Sequence, residues 1–468
     1  MFFPLRTGPP FLTSLTGLPQ VWASVQWNVY FILFSTFVSM ETYGKILLIA
    51  MPVFLLLVLF EKWYGWRKGK DTVRNMDMIS SLSSGITNVT KDVLGLGITI
   101  LAYGWIVNRI AVLHVHNGIL TYIIAFIAID FAGYWVHRWS HHINFFWNYH
   151  IIHHSSEDFN LACALRQSVS ALVNPFSFLL IPAALLGVPQ IVIATIAPLH
   201  LFAQFWYHTQ HINKMGVWEK IIVTPSHHRV HHAVNPEYLD KNLGQIFIFW
   251  DKLFGTYQDE LPEAPPVYGI TRPVQTWNPI RINFQHLWLM MQDAWRAKSI
   301  KDKFLIWTKP TGWRPADVAA KYPVNKMEAI YEYEKYAPKV SAALNVWSWL
   351  QLAMTLLFIS YLFGFIAKIG APGIFYYGGF IFLSVYAYTE LMDRHPFAIF
   401  WETIKNCYAL VIIYKTGDWF HATGFIPGIN YMLIGYFLIS TFITTFFVVK
   451  HKREDSKEMV AVLQTQNA

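Results

Sequence analysis

The chain has 468 residues, of which 14% are charged, whereas soluble domains carry about 25%. Apolar residues make up 54% of the chain, so this composition excludes a soluble enzyme and a disordered chain. The only cysteines, Cys163 and Cys407, exclude a disulfide framework and a thiolate zinc site. The net charge of +8 is spread over loops between apolar runs, which favours a membrane protein and predicts no nucleic-acid partner.

The first apolar segments leave one question open. Residues 21–40 carry no charge but contain several polar side chains, so they either span the bilayer or lie on its surface. Residues 46–60 form a second apolar run, and Lys and Arg are abundant in the segment that follows it. This pattern predicts a span that ends on the cytoplasmic side.

The middle of the chain is also poor in charge. Between residues 93 and 136 only Arg109 and Asp130 are charged, and a polar break lies at 114–118. This length and break predict a helical hairpin. No Lys, Arg, Asp or Glu occurs between Arg166 and Lys214, which predicts about two further crossings. Prolines should break or kink these helices.

The last part of the chain contains a charged segment followed by apolar runs. Residues 251–340 have an ordinary charged composition, and four apolar runs follow at 340–367, 369–389, 396–414 and 419–449. We therefore expect an all-α integral membrane protein, a multi-span helical bundle in which the third of these runs is weakened by Glu402 and Lys405.

Histidine carries the functional signal. Thirteen of the nineteen histidines fall between 137 and 232, and most are three or four residues apart, a spacing that places side chains on one helix face. The H-x-x-H-H spacing occurs twice. The groups are His137, His141 and His142; His150, His153 and His154; His208 and His211; and His227, His228, His231 and His232.

Neutral imidazole binds Zn, Fe, Cu and Ni. Eight or more imidazoles exceed what one ion can hold, so the pattern predicts two metal ions. A structural zinc site is closed by four ligands, whereas two ions that share about nine nitrogens keep positions open for oxygen or water.

These residues also carry a family resemblance. The order of the histidine groups, followed by Phe-Trp-Asp-Lys-Leu-Phe-Gly-Thr-Tyr at 249–257, resembles the fatty acid hydroxylase / sterol desaturase superfamily of membrane non-haem diiron enzymes. Segments 153–160, 164–168, 204–209 and 224–232 are similar to motifs of its alkylglycerol monooxygenase branch. The resemblance covers residues 40–275 well.

The resemblance implies a site and a set of boundaries. It implies that two Fe ions, a diiron centre, are bound in a cytoplasmic histidine-rich cap. The implied ligands are His137, His141, His150, His153, His154, His208, His228, His231 and His232, with His142 and His227 in reserve. Composition and resemblance together predict an interfacial or spanning N-terminal segment at 1–45, a membrane catalytic domain at 46–275, a cytoplasmic linker at 276–339 and a C-terminal multi-span segment at 340–468.

The implied reaction is the O2-dependent hydroxylation of a membrane lipid at an ether-linked carbon, which releases an aldehyde and a glycerol derivative. An electron donor is required, either a pterin such as tetrahydrobiopterin or a redox protein. The lipid is expected to enter an apolar channel between 93–136 and 167–207. The expected membrane is the endoplasmic reticulum in a eukaryote or the inner membrane in a bacterium, with the active site on the cytoplasmic side.

Two positions depart from the branch's pattern, which leaves other functions open. His142 and Gln210 stand where alkylglycerol monooxygenases usually have Glu, so the substrate or cofactor could differ. The alternatives are another lipid or sterol hydroxylase or desaturase, a histidine-lined metal transporter and a zinc-dependent membrane hydrolase. Transporter ligands should lie near mid-membrane, and the hydrolase motif H-E-x-x-H is absent from the sequence.

Charged residues near the histidines complete the predicted site. Asp130 lies seven residues before His137 and so on the same helix face. We expect it to accept the free N–H of a ligating imidazole, with an ion pair to Arg138 or Arg109 as the alternative. Arg166 and Arg229 are expected to meet lipid headgroups, and Asp251 to help close the cap.

Overall fold

A computed structural model describes residues 17–99, 102–115 and 118–466, with side chains from residue 41 onward except at 98, 458 and 460–466. The helices of the first half are α1 (Gly17–Arg67), α2 (Asn75–Val93), α3 (Tyr103–Ile110), α4 (Ile119–His142), α5 (Asn144–Trp147), α6 (Ile151–His154), α7 (Ile181–Leu185), α8 (Gln190–Phe202) and α9 (Pro225–His231). Those of the second half are α10 (Phe249–Phe254), α11 (Pro279–Arg296), α12 (Ile300–Leu305), α13 (Ala316–Lys321), α14 (Ala342–Ile369), α15 (Gly373–Met392), α16 (Ala398–Thr416) and α17 (Ile429–Gln466).

Strands are almost absent from the described part of the chain. Two-residue segments, β1 (Ile98–Thr99) and β2 (Val173–Asn174), pair in parallel with Ile98 opposite Val173. The predicted all-α class is therefore confirmed.

Four helical segments of the described chain are long and apolar enough to cross a membrane: Glu41–Arg67, Ile119–His142, Ala342–Ile369 and Ile429–Lys457. The protein is thus an integral membrane protein. Residues 21–40 continue α1 towards its start, but their side chains lie outside the described residues, so both alternatives for this segment stay open.

The predicted hairpin and double crossing are built differently from expectation. Helix α3 has 8 residues and α8 has 13, so at 1.5 Å per residue they extend about 12 and 20 Å, less than the roughly 30 Å of bilayer hydrocarbon. Pro182 lies in the first turn of α7 and Pro189 precedes α8, so proline divides this apolar region into short helices. Helices α7 and α8 pack against α4, and α3 packs against both of them.

Helix α4 joins the membrane-exposed surface to the histidine region. Its first half exposes Ile119, Leu120 and Ile123, whereas His137 and His141 near its end are buried. The histidines therefore lie at one end of a span rather than at its middle, which is unlike the placement expected of a transporter.

The C-terminal helices pack on the rest of the protein through α14 and α15, which contact α2, and α14 also contacts α1. Within this bundle Glu402 and Lys405 are each 1% exposed and lie 2.7 Å apart. The two charges that weaken the apolar pattern of α16 therefore compensate each other, as buried charges in a membrane usually do.

Segment 276–339 covers the histidine region. Helix α11 begins at the Asn278 cap, whose side chain accepts from the backbone N–H groups of Ile280 and Arg281, and it packs against α6 and α2. The backbone N–H of Asn144 donates to Lys309 O at 2.9 Å, and the Thr311 hydroxyl donates to His141 O. This segment thus forms one wall around the histidines.

Candidate metal centre

The structure brings nine of the sequence-predicted histidines together in two adjoining clusters. In each cluster one ring nitrogen per residue lies within 4.8 Å of all the others. The five-histidine cluster contains His137, His141, His150, His154 and His231, and the four-histidine cluster contains His153, His208, His228 and His232. The rings of His154 and His232, one from each cluster, are stacked with centroids 4.4 Å apart.

Hydrogen bonds from Nδ1 hold several of these rings in place. Carbonyl oxygens can only accept, so an imidazole Nδ1 facing one carries the hydrogen. The distances from Nδ1 to the accepting backbone oxygen are 2.8 Å for His137 and Leu243, 3.3 Å for His153 and Arg166, 3.0 Å for His208 and Gln204, and 3.0 Å for His231 and Lys241. His141 Nδ1 lies 3.2 Å from Asp240 Oδ1. This arrangement leaves Nε2 of each ring unprotonated and free to bind a metal.

The Nε2 atoms converge within the clusters. His208 Nε2 lies 2.8 Å from His228 Nε2 and 3.3 Å from His153 Nε2. Two adjacent ligands at a metal–nitrogen distance of about 2.0–2.1 Å are separated by roughly 3 Å, so these spacings match those of ligands on one ion. Among the described residues, the buried Nε2 atoms of His141 and His231 have no hydrogen-bond partner, which leaves them free to bind a metal. The Nε2 atoms of His142 and His227, outside the clusters, also lack one. The donor set therefore fits two ions.

Burial favours the neutral form of most of the clustered imidazoles. It lowers the pKa of His208 to about 3 and holds those of the neighbouring imidazoles far below 6.5, with repulsion from nearby rings adding to the effect in both clusters. The other groups lowered in this way are His150, His154, His228 and His232. Neutral imidazole is the form that binds metal.

Two histidines proposed from sequence lie outside both clusters. His142 is 42% exposed and its Nδ1 lies 3.8 Å from Asp240 Oδ2, so it faces a carboxylate at the rim. His227 is buried but belongs to the capping box of α9, where its Nδ1 accepts from the Thr224 backbone N–H at 3.3 Å. The second departure from the family pattern, Gln210, donates to Phe159 O at 2.9 Å.

Asp130 has different partners from those predicted. Its Oδ1 lies 2.7 Å from His200 Nε2, and its two oxygens accept from the backbone N–H groups of Ile246 and Phe247. Trp250 Nε1 also donates to it at 2.9 Å. Asp130 contacts neither a cluster imidazole nor the arginines named as the alternative, because the 246–250 segment folds over it. It fixes that segment against α4.

A second carboxylate, Asp251, is linked to a clustered histidine through the backbone of Leu243. Asp251 Oδ1 and Oδ2 accept from the backbone N–H groups of Leu243 and Gly244 at 2.6 and 2.7 Å. Leu243 O in turn accepts from His137. The expectation that Asp251 closes the cap understated this role, which depends on a loop geometry that sequence spacing does not reveal.

The expected headgroup arginines are buried and paired instead. Arg166 is 1% exposed and forms an ion pair of 2.8 Å with Asp77 on α2, while its guanidinium also donates to Ser155 beside the first H-x-x-H-H motif. Arg229 pairs with Glu260 at 2.7 Å. Sequence analysis missed Asp77, and the only available signal was a carboxylate in the first turn of a Ser-rich helix.

An apolar cavity of about 840 Å³ adjoins the clusters. Its walls come from α1, α2, α4, α8 and segment 171–180, and among the described residues Asp92 is the one Asp, Glu, Lys or Arg that lines it. Five cluster histidines border it: His137, His150, His153, His208 and His228. The predicted channel is confirmed in position, with α1 and α2 as additional walls.

A second cavity, of about 300 Å³, reaches the clusters from another side. It is bordered by the other four cluster histidines, His141, His154, His231 and His232. Segment 269–326 supplies much of its wall, and five charged side chains line it: Asp240, Arg272, Asp293, Arg314 and Lys326. The two cavities therefore differ in polarity, although both border the same two histidine clusters.

Comparison with known proteins agrees with this geometry. A model of the fatty acid hydroxylase family matches residues 122–256, which contain every clustered histidine. Human alkylglycerol monooxygenase is 33% identical over 81% of this chain and 84% of its own length. The Danio rerio alkylglycerol monooxygenase is 29% identical over 91% of this chain and 94% of its own.

More distant similarity extends to sterol enzymes. A delta(7)-sterol 5(6)-desaturase of Aspergillus fumigatus is 31% identical over 28% of this chain and 36% of its own length. No solved structure matches the chain. The protein is an O2-dependent oxidoreductase that hydroxylates lipids, and its histidine clusters fit the metal site of an iron-dependent family. The chain belongs to the fatty acid hydroxylase family, in the branch of the alkylglycerol monooxygenases.

Proposed function

We propose that this protein hydroxylates the ether-linked carbon of alkylglycerol-type membrane lipids at a diiron centre. The observation that carries the proposal is the meeting of two histidine clusters with an apolar cavity of about 840 Å³. Relatives named alkylglycerol monooxygenase match most of the chain and supply the substrate class.

The two clusters would each hold one iron. The five-histidine cluster, with His137 and His141 from α4, would bind the first, and the four-histidine cluster, with His153 and His208, would bind the second. When bound, the iron pair activates O2 for insertion of one oxygen atom into a C–H bond. His142 and His227 would remain outside the ligand set.

The chain's own residues would select and orient the lipid. An alkyl chain fits the apolar walls of the cavity, which also exclude water from the reacting carbon. Gln204 and Gln245 lie in this wall, and the Gln245 amide nitrogen has no hydrogen-bond partner among the described residues, while its oxygen lies 3.4 Å from Gln204 Nε2. These amides would hydrogen-bond the glycerol end of the lipid.

The overall reaction consumes O2, two electrons and two protons. One oxygen atom enters the substrate as a hemiacetal hydroxyl and the other leaves as water. The hemiacetal then breaks its C–O bond to give an aldehyde and a glycerol derivative. The electrons would come from a soluble donor, of which tetrahydrobiopterin is the candidate.

The topology would place this site at the cytoplasmic face. The histidines lie at the end of α4, and the basic residues after 60 follow the end of the preceding span. The membrane would be the endoplasmic reticulum in a eukaryote or the inner membrane in a bacterium. Residues 46–275 would act as the catalytic domain, and 340–468 as a supporting membrane segment.

Turnover by purified protein tests the proposal. The full chain in detergent, loaded with iron, receives O2, an alkylglycerol and tetrahydrobiopterin, and aldehyde release is measured. We expect turnover that is lost in His153→Ala and retained in His227→Ala, a buried histidine outside both clusters. Hydroxylation of a different lipid without ether cleavage would contradict the assigned substrate class.

A further inference from the structure

Helix α11 turns polar side chains inward and apolar side chains outward. Asn283, His286 and Asp293 are buried on its inner face. The outer face carries four large apolar residues, spaced so that they share one side of the helix: Phe284, Trp288, Met291 and Trp295. Trp288 is 60% and Trp295 86% exposed. A helix that faced water would have the reverse arrangement, so the outer face is suited to an apolar surrounding.

The partners of the buried polar groups fix this orientation of α11. Asn283 Oδ1 accepts from the Val169 backbone N–H at 3.0 Å. Asp293 Oδ1 accepts from Arg314 Nη2 at 2.9 Å. Rotation of the helix would separate these groups from their partners, and an unpaired buried carboxylate is costly. The apolar face therefore stays on the outside.

A row of aromatic rings connects this element to a membrane span. Trp307, just after α12, contacts Phe145 with ring centroids 6.2 Å apart. Phe145 contacts Phe146 at 5.5 Å, and Phe146 contacts Phe176 at 4.8 Å. Phe176 in turn lies 5.9 Å from Trp139, near the end of the α4 span. Aromatic side chains are typical of the membrane–water interface, so the row places α12 near that level.

Basic residues accompany the apolar face. Segment 279–309 contains six Lys or Arg and two Asp or Glu. Arg296, Lys298 and Lys301 are exposed, and Ile300, between the two lysines, is 72% exposed. Aromatic and aliphatic side chains beside Lys and Arg are typical of helices that lie in the membrane interface. The basic side chains are complementary to anionic lipid headgroups.

We propose that α11 and α12 form an interfacial element that lies on the surface of an anionic bilayer, the same bilayer that the spans cross. The apolar face of α11 would insert below the headgroups, by about 5–10 Å as in other interfacial helices. The inner face of α11 borders the smaller cavity beside the histidine clusters, so this contact would hold the cover of the metal centre at the membrane surface. The proposal does not depend on which lipid is oxidised.

Spin-label accessibility in the full, iron-loaded chain tests the proposal. Cys407→Ser removes the exposed cysteine, and Cys163 is buried. Single cysteines are then introduced by Trp288→Cys, Trp295→Cys or Phe304→Cys on the element, and each is labelled with a nitroxide. The protein is placed in nanodiscs of phosphatidylcholine and phosphatidylserine. Collisions of the label with O2, which concentrates in lipid, and with a water-soluble nickel chelate are measured.

Two matched positions calibrate the measurement. Ile127→Cys reports lipid, because Ile127 is 42% exposed within the α4 span. Glu263→Cys reports water, because Glu263 is an exposed charged residue. We expect the ratio of O2 to nickel collisions at Trp288 and Trp295 to exceed that at Glu263 at least threefold.

The lipid charge is tested in the same way. Nanodiscs of phosphatidylcholine alone should lower the ratio at Trp295→Cys, and so should Lys298→Gln combined with Lys301→Gln in mixed nanodiscs. An unchanged ratio in both cases would overturn the preference for anionic lipid. Ratios on α11 equal to that at Glu263 would overturn the whole proposal and leave the face for a soluble protein partner. Exclusion of both reagents, with dipolar broadening between labels, would overturn it in favour of a second copy of the chain.

Discussion

The two sides of the metal centre differ in origin and in chemistry. The apolar cavity is built from α1, α2, α4 and α8 and carries one charged side chain besides histidine, whereas the smaller cavity carries five, mostly on segment 269–326. Each clustered histidine borders one cavity and none borders both. The nine imidazoles therefore lie between an apolar cavity and a more charged one.

The largest effect is expected when one clustered histidine is removed from the side of either cavity. His208 borders the apolar cavity and His232 the polar one, yet both belong to the four-histidine cluster. His208→Ala and His232→Ala should each lose about one iron per chain and all turnover, because both rings serve the same ion. Elemental analysis and aldehyde assays measure this. Iron loss from only one of the two variants would show that the cluster is not a single site.

The carboxylates that support the histidines on the two sides should contribute differently to the free energy of unfolding. Asp77 is 1% exposed and pairs with Arg166, so Asp77→Asn would leave a buried guanidinium unpaired and cost about 3–5 kcal/mol in unfolding free energy. Asp240 on the polar side is 44% exposed, so Asp240→Asn should cost about 1 kcal/mol or less. Thermal and denaturant unfolding of the two variants measures the difference, and equal costs would contradict the contrast.

Filling the apolar cavity should affect lipid alone. Ala132 lies on α4 in the cavity wall, and Ala132→Phe would place a ring where the alkyl chain is expected. We expect the KM for long-chain alkylglycerols to rise at least tenfold, with iron content unchanged, because Ala132 lines the apolar cavity and touches no clustered histidine ring. An unchanged KM would argue against this cavity as the lipid site.

The smallest effect on lipid binding is expected at Gln245, a polar side chain in the wall of the apolar cavity. Gln245→Met keeps the side-chain length and removes the free amide, so it should weaken binding of a glycerol headgroup by about 0.5–1.5 kcal/mol, the net value of one hydrogen bond. The KM should rise several-fold for alkylglycerols and stay unchanged for a lipid that lacks hydroxyls. Equal shifts for both lipids would instead indicate a change of shape.

Sequence alone predicted the clustered histidines better than it predicted the residues that orient them. The spacing of His150, His153 and His154 fixes those rings on one short helix, so local periodicity was sufficient. The partners that orient the rings come from distant loops, such as Leu243 for His137, and no local pattern encodes them. Asp130 was expected to contact a ligating imidazole, but its histidine partner is His200, 70 residues away and outside both clusters.

Membrane crossings were predicted least well where proline is frequent. The uncharged stretch after Arg166 has the length of two spans, but α7 and α8 are short because Pro182 and Pro189 set their starts. Segment 276–339 was expected to be a linker from its composition. Its packing over the histidines depends on tertiary contacts, such as that between Asn144 and Lys309, which charge content does not reveal.

The most direct test of the central claim is the metal content and spectroscopic state of the purified full chain. The account predicts about two irons per chain, reduced in concert, with Mössbauer parameters of nitrogen-ligated, magnetically coupled iron. It also predicts that His227→Ala retains both irons. A single ion per chain, or zinc that persists after reconstitution with iron, would contradict the diiron assignment and the oxidative chemistry built on it.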